Sequence, residues 1–301
     1  MELPDRFFRK RRLETLVENQ TSYTLNSAAL HVFETHQSAE QVVLQFRQPV
    51  LASMLQGKKV MHLRDRPAFD FMPGESLILP ANELMCIDFP QAQPQNPTRC
   101  LAIAIDEGKI RDIITLMNET MPKADDQEWN LMDYHFHFTQ DEGIYQILRR
   151  LLFLFTENHP FKEVFVDNML QELVIRILQT NARETYAESS TAPNSHRLTY
   201  TIQYIREHLD EPLRVDMLSE KACMSESHFY RVFKNELGLS PVDFINDERI
   251  KLASSLLQNP QRKIKDVYLE CGFENRSYFN RVFKRKKNVS PTEYQARVAH
   301  D

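Results

Sequence analysis

Cysteine, glycine and long apolar runs are all scarce in this sequence of 301 residues. The four cysteines, Cys86, Cys100, Cys223 and Cys271, include no CxxC pair, which favours free thiols in a reducing compartment over a disulfide framework. No run approaches the roughly 18 uncharged apolar residues of a membrane-spanning helix. The segment Met1–Arg12 is charged and aromatic, which argues against a signal peptide. We therefore expect a cytoplasmic protein that does not associate with a membrane.

The overall composition is that of an ordinary globular protein, with 42% hydrophobic and 26% charged residues, and the length suits two domains. A net charge of −5 argues against a nucleic-acid partner only if the charge is spread evenly. It is not, because residues 196–301 carry 18 Lys and Arg against 15 Asp and Glu. Residues 1–183 are acidic, and the polar, Ser/Thr-rich stretch 184–195 is predicted to be a linker between the two domains.

The C-terminal domain, residues 196–301, contains an internal repeat. Ser227–Lys234 and Ser277–Lys284 share six of eight residues at a spacing of fifty, and a Ser-Pro pair follows each copy in the same register. Each copy predicts a short amphipathic helix, a tight turn and a second helix with one apolar stripe. Cys223 occupies the bend of the first turn and Gly272 the bend of the second. The domain is therefore predicted to be all-α.

A helix, a short turn and a second helix together form the helix-turn-helix unit, whose second helix enters the major groove of DNA. The two units are predicted at about 215–237 and 264–287. Ser225 and Asn275 can cap the second helix of each unit. A long helix over 242–257, opened by a proline in its first turn, is expected to join the two units.

Residues 198–298 resemble the DNA-binding domain of AraC/XylS-type transcriptional regulators. The strongest match is the second unit, Ile264–Lys284, together with the closing Ser290–Tyr294. Glu270 and Cys271 depart from the small residues that are commoner there. The resemblance implies two helix-turn-helix units inserted into successive major-groove segments on one face of double-stranded DNA.

The resemblance also assigns base readout to outward residues near the start of each second helix. These candidates are Ser227, Tyr230, Arg231, Arg276, Ser277, Asn280 and Arg281. Arginine suits guanine and asparagine suits adenine, although either can hold a phosphate instead. Arg231 or Arg281 could alternatively pair with a carboxylate of the connecting helix, such as Asp247 or Glu248. Phosphate contacts are expected from Lys234, Lys284, Arg285, Lys286 and Lys287.

The N-terminal domain is predicted to be α+β, with a barrel over about 25–105 and helices over about 106–183. Short strand-like runs separated by Pro and Gly turns predict the barrel. The segments Gln56–Lys59, Phe71–Gly74 and Leu79–Pro80 resemble the cupin-like N-terminal domain of a subset of AraC-type regulators. That resemblance implies a sensing domain that receives a small-molecule or protein effector.

Helical periods follow the barrel at 107–121, 143–158 and 162–180. The last period carries a wide apolar stripe, which is either buried core or the contact surface of a homodimer.

Histidines in the N-terminal domain could in principle hold a metal, as they do in cupin enzymes. His135 and His137, followed by Glu142, have the spacing of a cupin metal site. However, they follow the Pro-Gly element and lack flanking glycines, so we expect no metal and no cofactor. His62, alone in a predicted strand, is expected to be a satisfied core histidine.

These features predict a sequence-specific transcription regulator that is not an enzyme. It is expected to act as an activator, and the resemblance implies RNA polymerase as a second partner. Two alternatives remain open. One is an enzyme, either a metal cupin or a DNA-repair protein with an attached DNA-binding domain. The other is a regulator that senses no signal and is controlled by its abundance or by a partner protein.

Overall fold

A computed structural model of the chain describes residues 18–64, 67–123, 128–130, 137–139, 141–188 and 197–298. The chain divides into two compact units, the first made mainly of residues up to Leu178 and the second mainly of residues from Gln179 onward. The first unit combines strands and helices, and the second is helical. The predicted fold class is thereby confirmed. Within the described ranges, no helix is long and apolar enough to cross a membrane.

Ten strands are described in the first unit, in two sheets. They are β1 (Glu18–Thr24), β2 (Ala28–Thr35), β3 (Ala39–Gln45), β4 (Val50–Gln56), β5 (Lys59–His62), β6 (Phe69–Phe71), β7 (Ser76–Leu79), β8 (Leu84–Phe89), β9 (Thr98–Ile105) and β10 (His137–Thr139). One sheet has the order β1-β2-β9-β4-β7-β10, and the other has the order β3-β8-β5-β6. All described pairings are antiparallel, and β2 and β9 pair along their whole length, from Ala28↔Ile105 to Thr35↔Thr98.

The sheets enclose a common apolar core. On β9, Cys100 and Ala102 point into this core, whereas Leu101 and Ile103 point to the opposite face, because side chains alternate along a strand. Phe33 of β2 also lies in the core. The other core residues come from both sheets and the adjoining loops: Val50, Ala52, Met54, Met61, Leu63, Phe71, Leu77, Leu79, Met85, Ile87, Phe89 and Ala92.

Two strands lie outside the predicted barrel boundaries. β1 begins before residue 25, and β10 lies in a region predicted to be helical, where it pairs with β7 through His137↔Ile78. Only three residues form β10, which is too short for a period of two to be visible in the sequence. β10 is therefore a strand that the sequence analysis did not predict, between the helical periods predicted at 107–121 and 143–158.

Three helices follow or interrupt the strands: α1 (Glu107–Thr120), α2 (Glu142–Thr156) and α3 (Lys162–Glu188). The side chains of Asp106 and Asp141 cap α1 and α2 by accepting backbone N–H groups. Because α3 runs to Glu188, residues 184–188 of the predicted linker are helical. The physical reason is that this stretch contains no glycine or proline before Pro193.

The apolar stripe of α3 is largely core. Seven apolar side chains of the helix are buried: Val166, Leu170, Leu173, Val174, Ile177, Leu178 and Ala182. Val174 and Ile177 line a small apolar cavity with Leu51, Ile78 and Ile110, so the helix covers the outer face of the larger sheet. Val164 and Phe165, at the start of the helix, are exposed.

The second unit contains seven described helices. They are α4 (Arg197–Glu207), α5 (Val215–Lys221), α6 (Glu226–Leu237), α7 (Pro241–Leu256), α8 (Ile264–Glu270), α9 (Arg276–Lys287) and α10 (Pro291–Val298). The pairs α5–α6 and α8–α9 occupy the two predicted repeat segments, and α7 is the predicted long connecting helix. Both helix-turn-helix units and the connection are thus confirmed as secondary structure.

Phenylalanines hold each unit together in the same way. Phe229 and Phe233 of α6 are fully buried. The Phe233 ring packs edge-on against the Phe244 ring of α7, with the ring centres 5.4 Å apart. In the second unit, Phe283 of α9 packs edge-on against Tyr294 of α10 at 5.5 Å. The repeat in the sequence is therefore also a repeat in packing.

The turns between the paired helices share one backbone conformation. Cys223 has φ 52° and Gly272 has φ 72°, both in the left-handed region. The Cys223 side chain is exposed. A side chain at Gly272 would instead overlap the carbonyl oxygen of Leu209 and approach Arg249 Nη2 to 2.7 Å. Glycine is required in the second turn because of this close approach, and not by the turn conformation alone.

Candidate nucleic-acid interface

The N-terminal ends of α6 and α9 form the centre of the candidate interface. Ser225 Oγ accepts a hydrogen bond from the backbone N–H of His228, and Asn275 Oδ1 accepts one from the N–H of Tyr278. These bonds satisfy amides of each first turn and fix where each helix begins. Gly238 and Asn288 end the two helices in the left-handed conformation. The two second helices therefore have matched starts and ends.

Most side chains proposed to read bases lie on the exposed faces of these helices. Six of the seven are exposed: Ser227, Tyr230, Arg231, Arg276, Ser277 and Arg281. Asn280 is half-buried. The opposite faces of the same helices carry the buried Phe229 and Phe279. Each helix thus presents a polar surface while its apolar stripe anchors it.

Arg281 is positioned by a chain of contacts that begins in the connecting helix. The amide of Asn246, which is buried in α7, donates a hydrogen bond of 2.9 Å to the hydroxyl of Tyr278. The guanidinium of Arg281 lies 5.3 Å from the centre of the Tyr278 ring, within cation–π range. Tyr278 is a residue that the sequence analysis did not select. Its position in the repeat, which is that of His228 in the first unit, is the signal that could have identified it.

The carboxylates of α7 have partners other than Arg231 and Arg281. Glu248 pairs with Arg206 at 2.8 Å and with Lys251 at 2.7 Å. Asp247 pairs with Lys286 at 2.6 Å. The alternative in which these carboxylates hold Arg231 or Arg281 is therefore not what the structure shows. In the described part of the chain, no hydrogen bond or ion pair holds the side chain of Arg231.

The five proposed phosphate ligands differ in how freely their charges are presented. Lys234 and Lys284 are exposed, and Arg285 is exposed but 3.8 Å from Asp243. Lys286 forms the short ion pair with Asp247 described above. Lys287 is half-buried. Its burial and, to a smaller extent, the nearby positive charge of Lys251 lower the pKa of its ammonium group. The grouping of all five as equivalent phosphate ligands is therefore too simple, because two of them are engaged or shielded within the domain.

Arg249 was also missed by the sequence analysis, and its role is structural. From α7 it donates hydrogen bonds to the carbonyl oxygens of Leu209 (2.9 Å) and Glu211 (2.7 Å), and it lies 5.6 Å from the Phe273 ring centre. Burial lowers its pKa. Arg249 thus ties the segment between α4 and α5 to the turn of the second unit.

The spacing of a cupin metal site, noted in the sequence, involves three side chains of the N-terminal domain. The side chains of His135, His137 and Glu142 lie outside the described residues. Among the residues that are described, no group of three or more His, Cys, Asp or Glu side chains could hold a metal. His62 Nε2 donates a 2.7 Å hydrogen bond to Asp88 Oδ2, and its side chain is 41% exposed. It is therefore a hydrogen-bonded residue near the surface, and its prediction as a core histidine is wrong.

Two protein-family descriptions match the chain. Residues 27–185 match the AraC-type transcriptional regulator N-terminus, and residues 218–297 match a helix-turn-helix domain. The first match begins just before β2 and ends in α3, so it does not include β1. The second begins in α5 and ends in α10, so it contains both repeat units.

Curated relatives match parts of the chain. The arabinose operon regulatory protein of Escherichia coli K12 is 31% identical over 137 residues, which are 45% of this chain and 45% of that protein. The regulatory protein SoxS of the same strain is 31% identical over 97 residues, which are 32% of this chain and 91% of SoxS. The chain thus spans less than half the length of the arabinose protein.

Solved structures similar to the chain include ToxT from Vibrio cholerae, at 14% identity and a TM-score of 0.38. That match covers 90% of this chain and 98% of ToxT. The DNA-binding domain of AdpA, solved with a target DNA, is 29% identical with a TM-score of 0.33, covering 34% of this chain and 92% of that domain. The family description of the N-terminus alone spans more than half of the residues of this chain. The chain therefore belongs to the AraC-type transcriptional regulators.

Proposed function

We propose that this protein is a sequence-specific DNA-binding transcription regulator and not an enzyme. The observation that carries the proposal is the matched pair of capped helices, α6 and α9, with exposed arginines at equivalent positions. Arg231 and Arg281 both lie one turn beyond the first residues of their helices, opposite buried phenylalanines. Two such helices suit two successive major-groove segments.

The proposed roles divide the interface into readout and anchoring. Base readout falls to Ser227, Tyr230, Arg231, Arg276, Ser277, Asn280 and Arg281. Anchoring to phosphates falls first to Lys234, Lys284 and Arg285, because Lys286 and Lys287 are less available. Arginine side chains that meet base edges carry sequence information, whereas lysines on phosphates add affinity that weakens with salt.

Substitution of Arg281 tests this division. Arg281→Ala should cost roughly 1–3 kcal/mol of discrimination at one base position, because a bidentate contact to a base is lost. The matched control is Lys284→Ala, which removes an exposed positive charge one turn later on the same helix. It should weaken specific and random DNA about equally and lower the salt slope by about one contact.

The measurement is a titration of a selected target and a random duplex at several salt concentrations. The target is first identified by genome-wide mapping of binding sites. Circular dichroism confirms that both variants fold, as expected since neither residue is in the core. A folded Arg281→Ala variant with an unchanged ratio of specific to random affinity would contradict the proposed docking of α9.

The finer parts of the proposal concern regulation. We propose residues 1–183 as the sensing domain and 196–301 as the DNA-binding domain, acting in the cytoplasm as an activator with RNA polymerase. The sensing domain is proposed to receive a small-molecule or protein effector. Effector binding can act only by favouring one of two states that it binds differently.

A homodimer is also proposed, through the N-terminal domain. Exposed apolar side chains lie on α2, at Phe153, and at the start of α3, at Phe161, Val164 and Phe165, with exposures from 37% to 62%. Apolar side chains grouped in this way are typical of contact surfaces. Sedimentation of the full chain at micromolar concentration measures the oligomeric state, and a monomer both with and without DNA would contradict the dimer.

A further inference from the structure

The second helices of the two helix-turn-helix units begin with residues of opposite charge. Glu226 is the first residue of α6, and Arg276, fifty positions later, is the first residue of α9. Ser225 and Asn275 cap the two helices by equivalent hydrogen bonds to the amide three residues further on. Both Glu226 and Arg276 are exposed. The repeat therefore places a carboxylate in the first unit at the position where the second unit has a guanidinium group.

The charge of the two helices as a whole differs in the same sense. α6 carries two acidic and two basic residues, whereas α9 carries six basic residues and no acidic one. A carboxylate that approaches the negative phosphates of DNA lowers the affinity unless a donor group of the DNA pairs with it. An acidic residue at the leading end of α6 therefore weakens the binding of DNA in general, and only a site that supplies a donor offsets this cost.

The Glu226 carboxylate is not needed to start the helix. A negative charge in the first turn stabilises a helix, but α9 has the same type of cap and no acidic residue in its first turn. The charge of Glu226 also acts on Arg214, whose guanidinium donates hydrogen bonds of 2.6 and 3.2 Å to Asp216. Within the described part of the chain, no hydrogen bond or ion pair engages the carboxylate of Glu226 itself.

The base edges in the major groove differ in what they offer a carboxylate. Cytosine presents the N4 amino group, which is a donor, whereas guanine presents two acceptors, N7 and O6. Thymine presents an acceptor and a methyl group, and adenine presents a donor beside an acceptor. A carboxylate in the groove is therefore matched best by cytosine and repelled most by guanine. Arginine has the reverse preference, because its guanidinium group donates to both guanine acceptors.

We propose that Glu226 is a specificity-determining residue of the first unit and that it selects cytosine by accepting a hydrogen bond from the N4 amino group. Recognition helices contact base edges with their N-terminal residues, and Glu226 directly precedes Ser227 at the exposed start of α6. The two units then select different bases at equivalent points, so the target consists of two unlike segments and is not a direct repeat. This inference rests on the DNA-binding function proposed above.

Selection of binding sequences from a random duplex library by the full chain tests which base is preferred. The wild type should favour cytosine over guanine by roughly ten- to hundredfold at one position of the first segment. Glu226→Arg, which copies the residue of the second unit, should change this preference to guanine and leave the positions contacted by α9 unchanged. The matched control is Glu220→Arg, which makes the same change of charge at an exposed residue of α5 and should leave every base preference unchanged.

A modified target tests the contact with the amino group directly. Pyrimidin-2-one is cytosine without its N4 amino group. At the selected position it should weaken binding of the wild type roughly tenfold, because the donor that matches the carboxylate is absent. The Glu226→Ala variant should bind the cytosine and pyrimidin-2-one targets equally, since the partner of the donor has been removed from the protein.

The outcomes separate this inference from the proposed function. An unchanged base preference in a Glu226→Arg variant that circular dichroism shows to be folded overturns the inference. An equal loss of affinity from pyrimidin-2-one in the wild type and in Glu226→Ala also overturns it. In both cases a wild type that still selects a sequence leaves the proposed function intact. A wild type that selects no sequence overturns the proposed function and the inference together.

Discussion

The turn of the second helix-turn-helix unit offers a sharp test of the packing described here. Gly272→Ala places a methyl group against the Leu209 carbonyl oxygen and within 2.7 Å of Arg249 Nη2. Neither neighbour can yield cheaply, because one is backbone and the other donates hydrogen bonds to Leu209 and Glu211. The change should therefore displace the segment between α4 and α5 from α7.

The magnitude follows from two effects. A non-glycine residue in the left-handed conformation costs about 1–2 kcal/mol. Disrupting a hydrogen bond from a charged donor such as Arg249 to the part-buried carbonyl of Leu209 costs about 1.5–3 kcal/mol. We expect Gly272→Ala to destabilise the second unit by about 2.5–5 kcal/mol, which is large for a single methyl group.

Hydrogen exchange of the full chain measures this loss of stability, and it does not require that the two units unfold in a single transition. Amides of α8 and α9 should exchange roughly a hundred to several thousand times faster in the variant, because protection reports the free energy of local opening. Amides of β2 and β9, in the first unit, provide the internal reference. The matched control is Cys223→Ala, which places alanine at the equivalent bend with φ 52° and an exposed side chain.

Cys223→Ala should change stability by no more than about 0.5 kcal/mol, as for most surface substitutions. Equal exchange rates in the Gly272→Ala variant and the wild type would refute the reasoning. A loss of only about 1–2 kcal/mol in the Gly272→Ala variant would show that the left-handed turn, and not the approach to Leu209 and Arg249, sets the requirement for glycine.

Two further predictions concern titratable groups. Burial lowers the pKa of His31 below its ordinary 6.5, so the unfolded chain takes up a proton more readily than the folded chain. The contribution of His31 to the free energy of unfolding is therefore complete above pH 6.5 and is lost as the pH falls. The melting temperature of the first unit should drop between pH 7 and pH 5, and His31→Gln should flatten that dependence; an equally steep profile in the variant would exclude His31 as the cause. Burial raises the pKa of the Cys271 thiol to about 12, whereas Cys223 is exposed, so iodoacetamide at pH 8 should label Cys223 first and Cys271 only on unfolding. Mass spectrometry after a short pulse measures this, and early labelling of Cys271 would contradict its burial.

The sequence predicts the C-terminal domain well because its signals are local and repeated. The spacing of Phe229 and Phe233, repeated at Phe279 and Phe283, defines the buried stripe of both second helices. The capping residues and the Ser-Pro pair mark where the helices begin. A pattern that occurs twice in the same order constrains the fold far more than either copy alone.

The features that were missed depend on residues far apart in the sequence. β10 exists because it pairs with β7, which no period within His137–Thr139 can show. The ion pair between Lys286 and Asp247 requires the packing of α9 against α7, so a run of basic residues gave no sign of it. Lys59 likewise resembles an ordinary polar residue of an alternating strand, and only the packing of the two sheets shows that it is buried.

The equivalent packing of Phe244 and Tyr294 bears on the evolutionary history of the domain. Both α7 and α10 follow a serine and begin with a proline, and each places an aromatic ring against the last phenylalanine of the preceding helix. The segment that was copied therefore comprises three helices, not two. On this view a single ancestral module was duplicated in tandem: its third helix became the bridge in the first copy and a terminal cap in the second.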